Sequence, residues 1–84
     1  MIYKLLISKI AEKELSRLSL KDINRVDLGL QKILINPFSG KKLIGKLQGT
    51  YSIRVWPFRI LYEIKKRKLI IIVVKVAHRK NAYK

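Results

Sequence analysis

The sequence contains no cysteine, so neither a disulfide framework nor a thiolate metal site can hold the fold together. Acidic residues are also scarce, since five Asp and Glu stand against twenty Lys and Arg, for a formal net charge of +15. No apolar run approaches the ~20 residues of a membrane-spanning helix. From these absences we expect a soluble, cytoplasmic protein that does not associate with a membrane.

The positive charge is concentrated in the second half of the chain. Residues 1–39 hold seven basic and four acidic groups, whereas residues 40–84 hold thirteen basic groups and a single acid, Glu63. Self-repulsion of this size destabilises a compact state unless an anion relieves it. A polyphosphate is the plainest partner, because neutralised phosphates release their condensed counterions, but an acidic protein would serve equally well. A generally lysine-rich composition would explain the total charge but not its concentration in one half.

The first half of the chain has the pattern of a strand followed by two helices. An apolar strand is predicted over residues 1–7. Ser8 is a suitable N-cap for a helix that runs to about Leu18, and Ser19 begins a second helix with a capping-box pattern. The second helix ends at Asn36-Pro37, because the residue before a proline is biased away from helical geometry.

From Lys41 onward the apolar pattern changes from helical to alternating. We predict an edge strand over 42–47, a half-buried strand over 51–55, a connection at 56–57, a strand over 58–64, a charged turn over 65–68 and a long central strand over 69–77. The fold class is therefore α+β, in one domain spanning residues 1–84. A two-helix hairpin packs on one face of a small, mostly antiparallel sheet of four to five strands, with the first strand able to pair beside the last.

Three arginines of the second half are candidates for contacting a phosphate. Arg54, Arg59 and Arg79 could converge on one sheet face, because the middle of one strand in a meander faces the end of its neighbour. Guanidinium groups hold two phosphate oxygens at once and stabilise transition-state charge. His78 and Tyr83 lie close to Arg79 in the sequence, and His78 is the only side chain suited to proton transfer near neutrality. The pattern alone predicts a basic binding face, and a structural role for His78 is as consistent with it as a catalytic one.

Three segments resemble the RelE/ParE toxin superfamily. Residues 47–62 read L-Q-G-T-Y-S-I-R-V-W-P-F-R-I-L-Y, which resembles the family core L-x-G-x-(Y/W)-x-I-R-x-x-x-(Y/F)-R-(I/V)-x-Y. Residues 76–83 are similar to the closing pattern V-x-H-R-x-x-x-Y, and residues 8–15 resemble the first helix. The resemblance spans essentially the whole chain, and the order and spacing of the three segments make it specific.

The resemblance, which is strongest to the RelE branch, implies the toxin of a type II toxin–antitoxin system. Toxins of that branch enter the ribosomal A site and cleave the mRNA there. The 2′-hydroxyl of the mRNA attacks the adjacent phosphate, so no metal or cofactor is implied. The implied partners are the ribosome, its mRNA and a RelB-like antitoxin, whose acidic segment would cover the basic face in a toxin–antitoxin hetero-oligomer.

The resemblance also assigns roles to individual residues. Arg59 matches the arginine that contacts the scissile phosphate, and Arg79 matches the late-strand arginine that stabilises the transition state. Tyr83 matches the C-terminal tyrosine that stacks on the base and helps to activate the nucleophile. Arg54 stands where the family carries lysine or arginine, and His78 completes the set of candidate catalytic residues.

The sequence departs from the family pattern at Ser52, where some RelE members have a lysine. Lys46, on the preceding predicted strand, is the cation that could replace it. The lysines that we expect to bind RNA are Lys46, Lys75, Lys80 and Lys84.

Two other functions remain open at this stage. A ParE-like toxin shares the fold but inhibits DNA gyrase and does not cleave RNA. The combination of Arg59, Arg79 and Tyr83 favours the RNase, because the gyrase-directed branch usually lacks the full set. A nonenzymatic RNA-binding module is the other alternative, and its affinity would depend on electrostatics and fall steeply with salt.

Overall fold

The computed structural model describes residues 2–78. Within this range the elements follow the predicted order, β-α-α-β-β-β-β. They are β1 (Lys4–Ile7), α1 (Lys9–Ser16), α2 (Leu20–Ile35), β2 (Lys41–Lys42), β3 (Tyr51–Val55), β4 (Phe58–Lys65) and β5 (Ile70–His78). Short 3₁₀ helices occupy Pro37–Ser39 and Gly45–Leu47.

The five strands form one mixed sheet in the order β1-β5-β4-β3-β2. Neighbouring strands from β2 to β5 are antiparallel, whereas β1 runs parallel to β5. The first strand therefore lies beside the last, and the predicted α+β class is confirmed. The prediction that the last strand is the central one was wrong by one position. Strand β5 is the longest, but β4 lies in the middle because both β3 and β2 extend the sheet beyond it.

Both helices begin at the predicted caps. The Ser8 hydroxyl accepts a hydrogen bond from the Ala11 N–H at 3.1 Å, and the Ser19 hydroxyl accepts one from the Asp22 N–H at 3.2 Å. These bonds satisfy N–H groups that have no partner inside the first helical turn. None of the helices within residues 2–78 combines the length and the hydropathy that crossing a membrane requires.

The hydrophobic core lies between the two helices and one face of the sheet. Helix α1 contributes the buried Ala11, and α2 contributes Val26 and Ile33. The strand residues that meet them are Phe58, Ile60, Tyr62, Ile71, Val73 and Val76. Since alternate residues of a strand face opposite sides, the residues between these strand positions form the other face of the sheet.

The predicted edge strand over residues 42–47 was wrong. Strand β2 contains only Lys41 and Lys42, which pair with β3, and residues 45–47 form a 3₁₀ helix instead. Gly45 has a φ of 72°, in the left-handed region that interrupts an extended chain. Lys46 therefore lies exposed on a 3₁₀ helix and not on a strand.

Strand β5 contains a bulge at Val74. The register pairs Tyr62 with Val73 and Leu61 with Lys75, so that Val74 has no partner on β4. Before the bulge the odd-numbered residues of β5 face the helices, and after it the even-numbered residues do. An extra residue of this kind shifts the alternation of side chains along a strand.

Helix α1 binds the backbone of β5 at this bulge. The Ser8 hydroxyl donates a hydrogen bond of 2.8 Å to the carbonyl oxygen of Val74. Oε1 of Glu14 accepts a hydrogen bond of 2.7 Å from the N–H of Val76. The cap and the last turn of one helix thus satisfy backbone groups on an irregular stretch of strand, where ladder hydrogen bonds are disrupted.

Candidate nucleic-acid interface

The sheet face that turns away from the helices carries the candidate functional side chains, and we call it the arginine face. The register of the strands and the alternation of side chains show which residues lie on this face near the β3–β4 turn. They are Ser52 and Arg54 on β3, Arg59 and Leu61 on β4, and Lys75 and Ala77 on β5.

Arg54 and Arg59 lie directly opposite each other on β3 and β4. Side chains in such a pair have Cβ atoms about 5 Å apart, which places both guanidinium groups within reach of one phosphate. Arg54 is exposed and Arg59 is half-buried. The structure therefore brings together two of the three arginines that the sequence selected.

Lys75 belongs to the same face. It pairs in register with Leu61, which is buried and lies between Lys75 on one side and Ser52 on the other. Ser52 is 3% exposed, and its hydroxyl has no hydrogen-bond partner among residues 2–78. The departure from the family pattern at Ser52 thus falls on the arginine face, where a hydroxyl replaces a cation.

His78 lies on the other side of the sheet from the two arginines. It pairs with Phe58, and the two rings meet edge to face with centroids 5.9 Å apart. Its neighbour Ala77 is the β5 residue that pairs with Arg59. The His78 imidazole therefore lies on the side of the sheet opposite the arginine face, where it packs against the ring of Phe58.

One of the remaining candidate residues lies before β3, and the others fall outside the described range. Lys46 is on the 3₁₀ helix that precedes β3. Arg79, Lys80, Tyr83 and Lys84 lie outside residues 2–78, so their roles stay predictions.

The single acid of the second half is bound to a lysine. The carboxylate of Glu63 lies 3.2 Å from the ammonium group of Lys65. Arg59 and Glu63 are four residues apart along β4, about 13 Å in an extended strand. Positive potential near the arginine pair is therefore only weakly reduced by this carboxylate.

One residue of this region, Trp56, was not predicted from the sequence. Its side chain is 57% exposed in the turn between β3 and β4, next to Arg54. A groove of about 420 Å³ lies between this turn and α2, with Trp56, Arg54 and Lys32 in its lining. An exposed aromatic ring beside cations can stack on a base, and the available signal in the sequence was Arg54, two residues before Trp56.

The sequence and the fold both match known toxins. A model of the family described as ParE toxin of type II toxin-antitoxin system, parDE, matches residues 5–83. No curated protein matches the sequence at a significant level.

Several solved structures share the fold. The toxin–antitoxin complex RelBE2 from Mycobacterium tuberculosis contains a chain with 26% identity and a TM-score of 0.84, over 94% of this chain and 100% of that one. The intact E. coli RelBE complex gives 20% identity and a TM-score of 0.78, over 90% and 95%. A YoeB/ParE toxin from Agrobacterium tumefaciens gives 17% identity and a TM-score of 0.78, over 89% and 96%.

Proposed function

Since the chain belongs to the ParE toxin family of type II toxin–antitoxin systems, we propose that it is a ribosome-dependent endoribonuclease that cleaves mRNA in the A site. The observation that carries the proposal is the pair Arg54 and Arg59, opposed on the sheet face that turns away from the helices, with Lys75 on the next strand. Such a face presents fixed cations to a phosphate.

The proposed reaction is an attack of the mRNA 2′-hydroxyl on the adjacent phosphate. A bond forms between the 2′-oxygen and phosphorus while the bond to the 5′-oxygen breaks. The 2′-hydroxyl loses a proton and the departing 5′-oxygen gains one. Negative charge accumulates on the phosphate oxygens in the transition state, where preorganised guanidinium groups stabilise it most. Arg59 contacts the scissile phosphate in this mechanism, and Arg54 and Lys75 hold the strand.

The resemblance supplies the other proposed roles. Arg79 stabilises the transition state, and Tyr83 stacks on the base and assists activation of the 2′-hydroxyl. His78 faces the core aromatic Phe58, which favours a structural role over proton transfer. Trp56 provides a second stacking surface at the β3–β4 turn.

The proposed partner is a cognate antitoxin of the RelB type. RelBE2 and E. coli RelBE are toxin–antitoxin complexes, which supports a hetero-oligomer for this chain as well. An antitoxin with an acidic segment would neutralise the arginine face and keep the mRNA out. The ribosome and mRNA as targets imply a cytoplasmic location.

A second candidate function is inhibition of DNA gyrase. It is favoured by the description of the matching family, which names the ParE toxin of parDE. A gyrase-directed toxin needs no phosphate-cleaving constellation, so its action would survive substitution of Arg59 by any residue that keeps the fold.

The deciding experiment measures mRNA cleavage in a purified translation system. Arg59→Ala is compared with Arg17→Ala, a matched change at an exposed arginine at the end of α1. We expect cuts in the A-site codon, with a loss of roughly 100-fold for Arg59→Ala and none for Arg17→Ala. Folded protein that leaves mRNA intact but blocks DNA supercoiling would establish the second candidate. Folded protein with neither activity would indicate a binding module.

A further inference from the structure

Strand β2 adds a lysine to the arginine face at the edge of the sheet. Lys41 pairs in register with Ser52, which belongs to the arginine face. Directly paired residues of an antiparallel ladder point to the same side of the sheet. The side chain of Lys41 is therefore on the same side as those of Arg54 and Arg59.

The next residue of β2, Lys42, points to the opposite side of the sheet. It pairs with Tyr51, whose ring stacks on the core residue Tyr62 with centroids 5.6 Å apart. Successive side chains of a strand alternate between the two faces, and both lysines are exposed. Lys41 and Lys42 thus share their charge, their strand and their exposure, and they differ in the face of the sheet on which they lie.

The backbone on either side of Lys41 is held against the sheet. After it, the N–H of Leu43 donates a hydrogen bond of 2.9 Å to the carbonyl oxygen of Thr50. Before it, Gly40 is packed so closely that a Cβ atom there would overlap the hydroxyl of Tyr62 and come within 3.0 Å of a backbone carbonyl oxygen of β3. Although β2 is short, the base of the Lys41 side chain is therefore fixed relative to β3.

Lys41 lies diagonally across from Arg54. Because Lys41 pairs with Ser52 and Arg54 is two residues further along β3, the Cα atoms of Lys41 and Arg54 are about 7–8 Å apart. Lys75 of β5 has the same diagonal relation to Arg59 on the other side of the arginine pair. Four consecutive strands therefore present one cation each, with the two arginines in the middle of the row and a lysine at each end.

The Lys41 ammonium group is available to an external anion. Within residues 2–78 the ion pairs join Arg25 to Asp22 and Lys65 to Glu63, so Lys41 has no acidic side chain at ion-pair distance there. Like charges placed this close together raise the local positive potential and are relieved when an anion binds.

The row of cations matches a nucleic-acid backbone better than a protein surface. A single strand of RNA carries one negative charge on every nucleotide, and cations that neutralise those phosphates release condensed counterions. The residues between the cations, Ser52, Leu61 and Ala77, are 3%, 4% and 5% exposed. The row thus offers almost no apolar surface, which the core of a protein–protein interface requires.

We propose that Lys41 binds the phosphate next to the one held by Arg54 and Arg59, so that the RNA backbone crosses the sheet from β5 to its β2 edge. This assignment rests on the proposed function and deepens it, because it gives the direction in which the substrate leaves the cleavage site. One phosphate away from the breaking bond, Lys41 makes the same contact in the ground state and in the transition state. It therefore contributes to substrate binding and not to the chemical step.

The test compares Lys41→Gln with Lys42→Gln, which remove the same charge from the two faces of β2. Binding of a fluorescein-labelled uridine oligonucleotide is measured by fluorescence anisotropy over a range of salt concentrations. We expect Lys41→Gln to weaken binding roughly fivefold at low salt. It should also reduce the slope of log affinity against log salt by about 0.7, the value for one phosphate of a single strand. Lys42→Gln should leave the slope unchanged, and Lys41→Arg, which keeps the charge, should bind as wild type does.

Cleavage kinetics in the translation system provide a second measurement. Lys41→Gln should raise KM and leave kcat unchanged, because a contact that is equal in both states is lost. Arg59→Ala should lower kcat instead. A fall in kcat for Lys41→Gln at constant KM would overturn the assignment, because Lys41 would then act on the reacting phosphate.

The binding data distinguish a failure of this assignment from a failure of the proposed function. Equal losses of affinity and slope in Lys41→Gln and Lys42→Gln would overturn the assignment alone, because only the net charge would then matter. RNA binding that depends on Lys41 and not on Lys42, in a protein that leaves mRNA intact on the ribosome, would support the phosphate contact and refute the proposed cleavage.

Discussion

Arg54 on β3 lies directly opposite Arg59 on β4, so two like charges face each other across neighbouring strands. Directly opposed like charges destabilise a sheet. The same juxtaposition creates a site for an anion, because both guanidinium groups can contact one phosphate. The arrangement therefore favours binding at the expense of stability, as functional sites often do.

Replacing Arg54 should stabilise the protein and weaken its binding to RNA. In Arg54→Thr the charge repulsion is lost and a β-branched residue occupies the strand, so we expect the free energy of unfolding to rise by about 0.5 kcal/mol. Urea denaturation at low salt measures the gain. The difference from wild type should shrink as salt screens the charges. A variant less stable than wild type at low salt would show that Arg54 makes a net favourable contact.

Removing the hydroxyl of Tyr62 should destabilise the fold. This hydroxyl donates a buried hydrogen bond of 2.7 Å to the carbonyl oxygen of Pro37, which ties β4 to the segment after α2. Tyr62→Phe leaves the carbonyl without this partner and should cost about 1–3 kcal/mol. Tyr51→Phe is the control, because its half-buried ring stacks on Tyr62 with centroids 5.6 Å apart and keeps that contact without its hydroxyl. Equal stability of the two variants in thermal unfolding would contradict this account.

The same tyrosine should make stability fall at alkaline pH. Burial raises the pKa of Tyr62 above its ordinary value of 10.0, a backbone hydrogen bond with Gly40 acts in the opposite direction, and Tyr51 adds to the rise. Because the folded-state pKa is the higher one, the neutral phenol stabilises the fold below the unfolded-state value, and this contribution is lost as pH rises through the folded-state value. Wild type and Tyr62→Phe should therefore converge in stability above about pH 10. A constant difference between them from neutral to strongly alkaline pH would refute the linkage.

Gly29 should not tolerate a side chain although it lies within α2. A Cβ atom there would overlap the side chain of Val55 and come within 2.8 Å of Cδ1 of Ile60. Alanine favours a helix over glycine by about 1 kcal/mol, but overpacking at a buried site typically costs 1–3 kcal/mol, so we expect a net loss of about 1 kcal/mol for Gly29→Ala. Asn24→Ala, at an exposed position of the same helix, should be neutral or slightly stabilising. Denaturant midpoints of both variants provide the comparison.

Glu14 should stabilise the fold by accepting a hydrogen bond and not through its negative charge. Its Oε1 accepts the Val76 N–H at 2.7 Å beside the bulge. Glu14→Ala leaves that N–H without its partner and should cost about 1–2 kcal/mol, whereas Glu14→Gln retains an amide oxygen and should recover most of the loss. Chemical unfolding of the three proteins measures this, and a glutamine variant as unstable as the alanine variant would instead assign the effect to charge.

The helices and most strands were predictable because their signals are local. Ser8 and Ser19 cap helices through bonds to residues three positions later, and Pro37 ends the second helix through its own ring. The alternation over β3 and β4 follows from burial of one sheet face. It correctly indicated that Arg54 and Arg59 share the opposite face.

What the sequence could not predict depends on pairing between distant segments. The alternation of residues 42–47 resembled a strand, but β3 pairs only with Lys41 and Lys42, and Gly45 turns the chain away. The side of the sheet on which His78 lies depends on the register of β5 and on its bulge, neither of which leaves a local pattern. The sequence therefore identified the shared face of Arg54 and Arg59 but not the side of the sheet on which His78 lies.

The bulge at Val74 also compensates for a one-residue shift in the apolar alternation along β5. Residues 70–73 and 75–78 each alternate regularly, but the two segments are out of step by one position. In a straight strand with the same residues, Lys75 would point among the core side chains and Val76 would point toward the arginines. The extra residue allows Ile71 and Val73 before it and Val76 after it to face the helices, and it places a lysine where it can meet an anion. The charge of that surface is therefore determined by the spacing of the chain as much as by its composition.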